Sequence, residues 1–170
     1  SERTPVVPAS MAMTSPKASE SSSRRVRPMK VAMLTGGGDC PGLNAVLRAV
    51  VRKGERFHGD EIVGFKDAWD GVREGRTMPL TVDVMRGSLP RGGTVLGTKR
   101  GSPFDHPGGV DEVKRTFSDL GIDALIVVGG NGTLTVAHAL ATEERLPIVG
   151  VVTMDQLMVD CGDDPVRTGD

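Results

Sequence analysis

Twice in this chain a short apolar run stops at a cluster of glycines and gives way to residues spaced like one face of a helix. Val31-Ala32-Met33-Leu34 ends in Thr35-Gly36-Gly37-Gly38-Asp39, and Ala124-Leu125-Ile126-Val127-Val128 ends in Gly129-Gly130-Asn131-Gly132-Thr133. Runs this short and this apolar, bounded by turn residues, read as strands buried on both faces. After the first turn, Pro41 is expected in the opening turn of a helix, where a missing N–H costs nothing. Leu43, Val46, Leu47, Val50 and Val51 then form one apolar face of that helix. After the second turn, Leu134, Val136, Ala137 and Leu140 do the same. Glu61–Phe65 and Pro147–Val152 read as two further strands. Val110, Val113, Phe117 and Leu120 mark a helix that Gly121 should end. Residues 67–100, rich in Gly and Arg and holding the only tryptophan, Trp69, read as loops with short elements.

Strand, glycine turn and helix in repetition imply right-handed crossovers, hence an α/β fold with a mainly parallel sheet and helices on both faces. Ligands of such sheets gather at the carboxyl ends of the strands, and both glycine turns lie there. Glycine lets the backbone approach a ligand closely. Free N–H groups and the positive end of a helix dipole favour an anion, so phosphate is the natural guest. Neither turn is a P-loop, since no Gly-Lys-Ser/Thr follows, and neither completes the dinucleotide fingerprint.

Composition sharpens the boundaries. Residues 1–29 hold seven Ser, two Thr and four Pro, with five basic and two acidic residues. Such a stretch cannot bury enough apolar surface to offset its chain entropy, and a disordered leader is expected there. Its Arg- and Ser-rich, acid-poor character also fits an organelle transit peptide, but it lacks an amphipathic stripe. Residues 30–152 balance at 15 basic and 15 acidic, which gives no basic footprint for nucleic acid. No run approaches the roughly 18 apolar residues of a membrane-spanning helix. Two cysteines, Cys40 and Cys161, make no disulfide framework and suit a cytoplasmic location. Cys40 reads as structural, and His58, His106 and His138 share no metal-ligand spacing.

The block Leu34-Thr35-Gly36-Gly37-Gly38-Asp39-Cys40-Pro41-Gly42-Leu43-Asn44 resembles the opening signature of the 6-phosphofructokinases. Arg91-Gly92-Gly93-Thr94-Val95-Leu96-Gly97-Thr98-Lys99-Arg100 resembles their second block, and Gly129-Gly130-Asn131-Gly132-Thr133-Leu134 their third. The resemblance implies a Rossmann-like fold, incomplete relative to the family. It also implies phosphoryl transfer from ATP, with Mg2+, to the 1-hydroxyl of fructose 6-phosphate in glycolysis. Carried over by position, Gly38, Arg100, Gly101, Gly130, Asn131, Gly132 and Thr133 would meet the nucleotide, and Asn131 would serve the metal. Trp69 matches an aromatic position near the nucleotide, and a core or surface aromatic explains it equally well. Gly132 stands where pyrophosphate-using members carry Asp, which points to ATP. Arg48 and Arg52 match effector-site arginines of bacterial members; a solvated helix face explains them equally well. The arginines at 73, 76, 86 and 91 read as solvated.

The resemblance weakens past Val152. The family motif Thr-Ile-Asp-Asn-Asp is met by Thr153-Met154-Asp155-Gln156-Leu157, which keeps Thr153 and the base position, Asp155, but places Leu157 at the second acidic site. The expected organisation is therefore a leader over 1–29, a nucleotide-binding α/β domain over 30–152, and a catalytic-motif remnant with an acidic tail over 153–170. The family's sugar-phosphate motifs do not occur, so this chain alone is expected to have little or no kinase activity, and the tetramer usual in the family is left open. A non-catalytic nucleotide- or phosphate-binding module is the alternative. A kinase acting on NAD or lipids shares the second turn but not the first block.

Overall fold

A computed structural model describes residues 27–152 and 157–159. Six strands form one sheet in the order β3-β2-β1-β4-β5-β6: β1 Lys30–Gly36, β2 Glu61–Phe65, β3 Thr77–Pro79, β4 Ala124–Gly129, β5 Ile148–Val152 and β6 Leu157–Val159. β2, β1, β4 and β5 run parallel, and the edge strands β3 and β6 pair antiparallel to their neighbours. The α/β class and the mainly parallel sheet expected from the two repeats are what is found.

Both faces of the sheet are covered. Helix α1, Leu43–Lys53, lies on one face and buries Leu43, Leu47 and Val51 against Val31, Met33 and Ile62 of the sheet. Helices α2 (Ala68–Glu74), α3 (Gly109–Leu120) and α4 (Asn131–Thr142) cover the other. There Trp69, Val72, Val113, Phe117, Ala137 and Leu140 meet Ala32, Leu34, Phe65, Leu125 and Val127. The alternation is legible along β1: Val31 and Met33 point to one core, Ala32 and Leu34 to the other, as a pleated strand requires. Gly121 caps α3 in the left-handed conformation, at φ +62°.

Two local expectations, on Pro41 and Arg73, are corrected. Pro41 lies outside α1, because Gly42 is the N-cap at φ +102°, a left-handed value that Gly tolerates and that turns the chain before the first helical residue. The segment over 67–100 is, as expected, loops with short elements: a two-turn helix, α2, and the edge strand β3. Arg73 is not solvated: only 14% of its side chain is exposed, and it bridges Asp70 (3.6 Å) and Glu112 on α3 (2.9 Å).

The amino end of the sheet is tied by carboxylates. The Met29 N–H donates to Asp60 Oδ1 at 2.9 Å, and the Lys30 N–H to Asp123 Oδ2 at 2.8 Å. Arg27 pairs with the other Asp123 oxygen at 2.9 Å, so contacts begin three residues before β1. The Lys30 N–H holds the Asp123 carboxyl below the ordinary carboxylate range against an opposing effect of burial, with Arg27 adding to the lowering. A carboxyl whose folded-state pKa is depressed stabilises the fold above its unfolded pKa and loses that contribution as pH falls. Asp123→Asn should therefore lower the melting temperature by a few degrees at pH 7. The difference between variant and parent should shrink as pH falls through and below the ordinary aspartate range, as thermal scans across pH would show.

Gly71 in α2 has no room for a side chain, since a Cβ there would sit 1.8 Å from the Lys66 carbonyl oxygen. That oxygen belongs to backbone pinned by the Lys66 N–H bond to the Arg76 carbonyl at 3.0 Å. Gly71→Ala is expected to cost about 3 kcal/mol or prevent folding. Gly132→Ala, within α4 and with a Cβ that would meet nothing within 4 Å, should be neutral or stabilise by up to about 1 kcal/mol. Urea unfolding of the two variants makes the comparison.

Candidate donor-phosphate cleft

The strand order places a switch point between β1 and β4: the chain leaves β1 toward β2 on one side and reaches β4 on the other. Gly36 ends β1 and stands in register with Gly129, the end of β4, so the two glycine turns lie side by side. A Cβ on Gly36 would be 2.8 Å from Thr133 Oγ1 and Cγ2. One on Gly129 would be 2.8 Å from both the Gly36 carbonyl and Thr133 Cβ. Thr133 therefore fills the gap between the paired glycines, which explains why it is buried.

Helix α4 starts at this gap. Its N-cap is Gly130, which supplies no side-chain cap, and its first turn carries no acidic residue. The leading N–H groups over Asn131–Thr133 lack intrahelical partners, and with the helix dipole they form the positive end of the element. A third segment completes the wall. The Thr35 hydroxyl, at the end of β1, donates to the Gly97 carbonyl at 2.8 Å and contacts Thr94 Oγ1 at 3.1 Å. The Gly37 N–H donates to the Lys99 carbonyl at 3.2 Å. The strap over 94–101 is thereby drawn against the first glycine turn.

Between these segments lies a cleft of about 460 Å³. Its lining includes Gly38, Arg100, Gly101, Gly130, Asn131, Gly132 and Thr133, so the structure brings together all seven residues that the sequence pattern assigned to the nucleotide. It adds Gly37, Ser102, Asp105 and Val136. Ser102 and Asp105 cap a 3₁₀ turn over Pro103–Asp105: the Ser102 hydroxyl accepts the Phe104 N–H, and Asp105 accepts the Ser102 N–H at 2.9 Å. The Ser-x-x-Asp spacing with proline next to the cap was a readable signal for this turn. Phe104, between those two lining residues, is 45% exposed.

Trp69 does not join the cleft. It is buried in the core beneath α2, where its bulk packs α2 against the sheet. Thr153 and Asp155 lie outside the described residues, as does Cys161. β5 runs up to them: Val152 pairs with Val128, one residue before the second glycine turn, and Leu157 opens β6 opposite Val152. A second recess of about 430 Å³, lined by Cys40, Pro41, Leu43, Val46, Val128 and Val152 among others, adjoins Gly38 and Gly130.

Within the described residues the carboxylate lining the cleft is Asp105, already engaged by Ser102, with the Asn131 amide beside it and Asp39 in the adjoining recess. Among the described residues no group of three or more His, Cys, Asp or Glu side chains gathers to hold a metal ion, and magnesium favours several oxygen ligands, carboxylates and phosphates among them.

The phosphofructokinase family model matches residues 30–156. The chain belongs to the phosphofructokinase family. It is 54% identical over 123 residues to a pyrophosphate–fructose 6-phosphate 1-phosphotransferase of Streptomyces coelicolor, covering 72% of this chain and 36% of that protein. It is 47% identical over 136 residues to an ATP-dependent 6-phosphofructokinase of Mycobacterium leprae, covering 79% and 39%. Among solved structures, Pichia pastoris phosphofructokinase in the T-state superposes with a TM-score of 0.66 at 33% identity, over 74% of this chain and 15% of that one. The chain thus spans somewhat over a third of the length of the curated relatives it matches. These relatives are phosphotransferases, some using ATP and some pyrophosphate.

Proposed function

We propose that residues 30–152 form the donor-phosphate half of an ATP-dependent 6-phosphofructokinase. The observation that carries this reading is the cleft itself, where three separate segments place two glycine turns, an uncapped helix N-terminus and Arg100 around one space. Phosphoryl transfer depends almost wholly on positioning and on stabilising the charge of the moving group. Here backbone N–H groups of α4 would take phosphate oxygens, the glycines would let the polyphosphate approach the chain, and Arg100 would supply the positive charge. Magnesium would arrive with the ATP, held mainly by its phosphates. By its match to the family motif, Asp155 would act as base toward the sugar hydroxyl. With Asn131 and Leu157 in place of two acidic groups, the chain on its own would bind donor and turn over slowly or not at all. Fructose 6-phosphate would depend on residues elsewhere in the family's length, and the proposed enzyme is cytoplasmic.

Pyrophosphate is the second reading of the donor, favoured by the name of the 54%-identical relative. Gly132 supports ATP against it. A Cβ at Gly132 meets nothing within 4 Å, so the cleft there is open to a nucleotide's further phosphates.

Calorimetric titration of the 170-residue chain should give saturable ATP binding that Arg100→Ala weakens about tenfold or more. A coupled assay with fructose 6-phosphate should stay far below the roughly 1–100 per second of a competent kinase. No ATP binding, or turnover in that range, would contradict the reading. Gly132→Asp should weaken ATP binding by about tenfold or more, through a carboxylate placed in the phosphate path. An unchanged ATP affinity in that variant would move the assignment to pyrophosphate.

A further inference from the structure

The strap that carries Arg100 is anchored unevenly. Upstream it is pinned three times: Thr35 holds the Gly97 carbonyl at 2.8 Å, Asn44 accepts the Val95 N–H at 3.0 Å, and the Asp67 N–H donates to the Leu96 carbonyl at 2.9 Å. Downstream, the Ser102–Asp105 turn is self-capped. Between Gly97 and Ser102, the contacts among the described residues converge on Lys99. Its carbonyl accepts the Gly37 N–H, and its ammonium is bonded to Asp70 Oδ2. Gly101, at φ +137° with no atom near its missing Cβ, adds no stiffness on the other side of Arg100.

Asp70 is suited to hold something in place. It sits in α2, its side chain is only 15% exposed, and its other oxygen faces Arg73, which in turn reaches Glu112 of α3. The carboxylate is thus braced by two helices while it grips Lys99, whose side chain is 59% exposed. The pairing also turns the Lys99 ammonium onto α2, leaving the next residue, Arg100, as the strap's cation in the cleft lining.

We propose that Asp70 is a positioning residue for the donor phosphates: by holding Lys99 it fixes the strap against the Gly37 amide and sets Arg100 at the cleft. The proposal rests on the donor-cleft reading above. It assigns a binding role to an ion pair outside the cleft, on residues that touch no phosphate.

The test is a double-mutant cycle in the 170-residue chain, with Asp70→Asn, Lys99→Met, both together, and Arg100→Ala as a separate control. ATP in magnesium buffer is the titrant. Each single variant should bind ATP about fivefold more weakly, the scale of a partly exposed ion pair. The double variant should be no weaker than either single, because both remove one contact. Hydrogen exchange of the Gly37 amide should speed up in all three, which a general loss of α2 packing at unchanged melting temperature would not produce. Should Asp70→Asn fail to fold, Lys99→Met at its exposed position carries the same two readouts. Single variants with parental affinity, additive losses in the double, or unchanged Gly37 exchange overturn the proposal. If Arg100→Ala still loses binding in that case, the donor cleft stands without Asp70. If the parent chain binds no ATP, both readings fall together.

Discussion

The molecule depends on one close approach, the side-by-side ending of β1 and β4 at Gly36 and Gly129. A pair of parallel strands normally keeps side chains between its helices and its ends. Here both terminal residues lack a Cβ, and Thr133 from the first turn of α4 drops into the space that results. The helix can then begin almost on top of the neighbouring strand. Its amino end faces the first glycine turn rather than open solvent, and the strap docks against that same turn through the Lys99 carbonyl. Any side chain larger than hydrogen at either glycine would lift α4 away and open the cleft floor.

The elements legible in the sequence are those whose stability is local. β1, β4 and the helices after them carry their own period, and Gly121 punctuates α3 as a left-handed cap should. The segment over 67–100 was illegible because its shape is imposed from afar. α2 begins with two non-glycine residues in left-handed geometry, Asp67 at φ +56° and Ala68 at φ +57°. No propensity argument selects that conformation, which persists because the surroundings over-determine it. β3 is three residues long and ends in a proline, tolerable only on an edge. The strap has no regular structure, and its order comes from Thr35, Asn44 and Asp67, none of them sequence neighbours.

The site divides in the same way. The glycine turns were legible because close backbone approach leaves a mark at single positions, whereas Arg100 was reached only through the family resemblance. The Ser102–Asp105 turn was readable in principle from its capping spacing, but it attracts notice only once the strap is known to pass beside α4. Trp69 was left open between two readings for the opposite reason. An aromatic residue near a glycine-rich segment fits a ligand face or a core equally well, and only packing decides.

That packing has an optical consequence. The chain contains no tyrosine and one tryptophan, so its near-ultraviolet emission arises from a single indole. This indole lies in a dry environment beneath α2, and its N–H finds no acceptor among the described residues. It is bonded in sequence to Asp70, the residue that grips the strap. The protein therefore carries a built-in chromophore one residue away from the ion pair, and movement of α2 relative to the sheet would register as a change of colour and intensity without any added label.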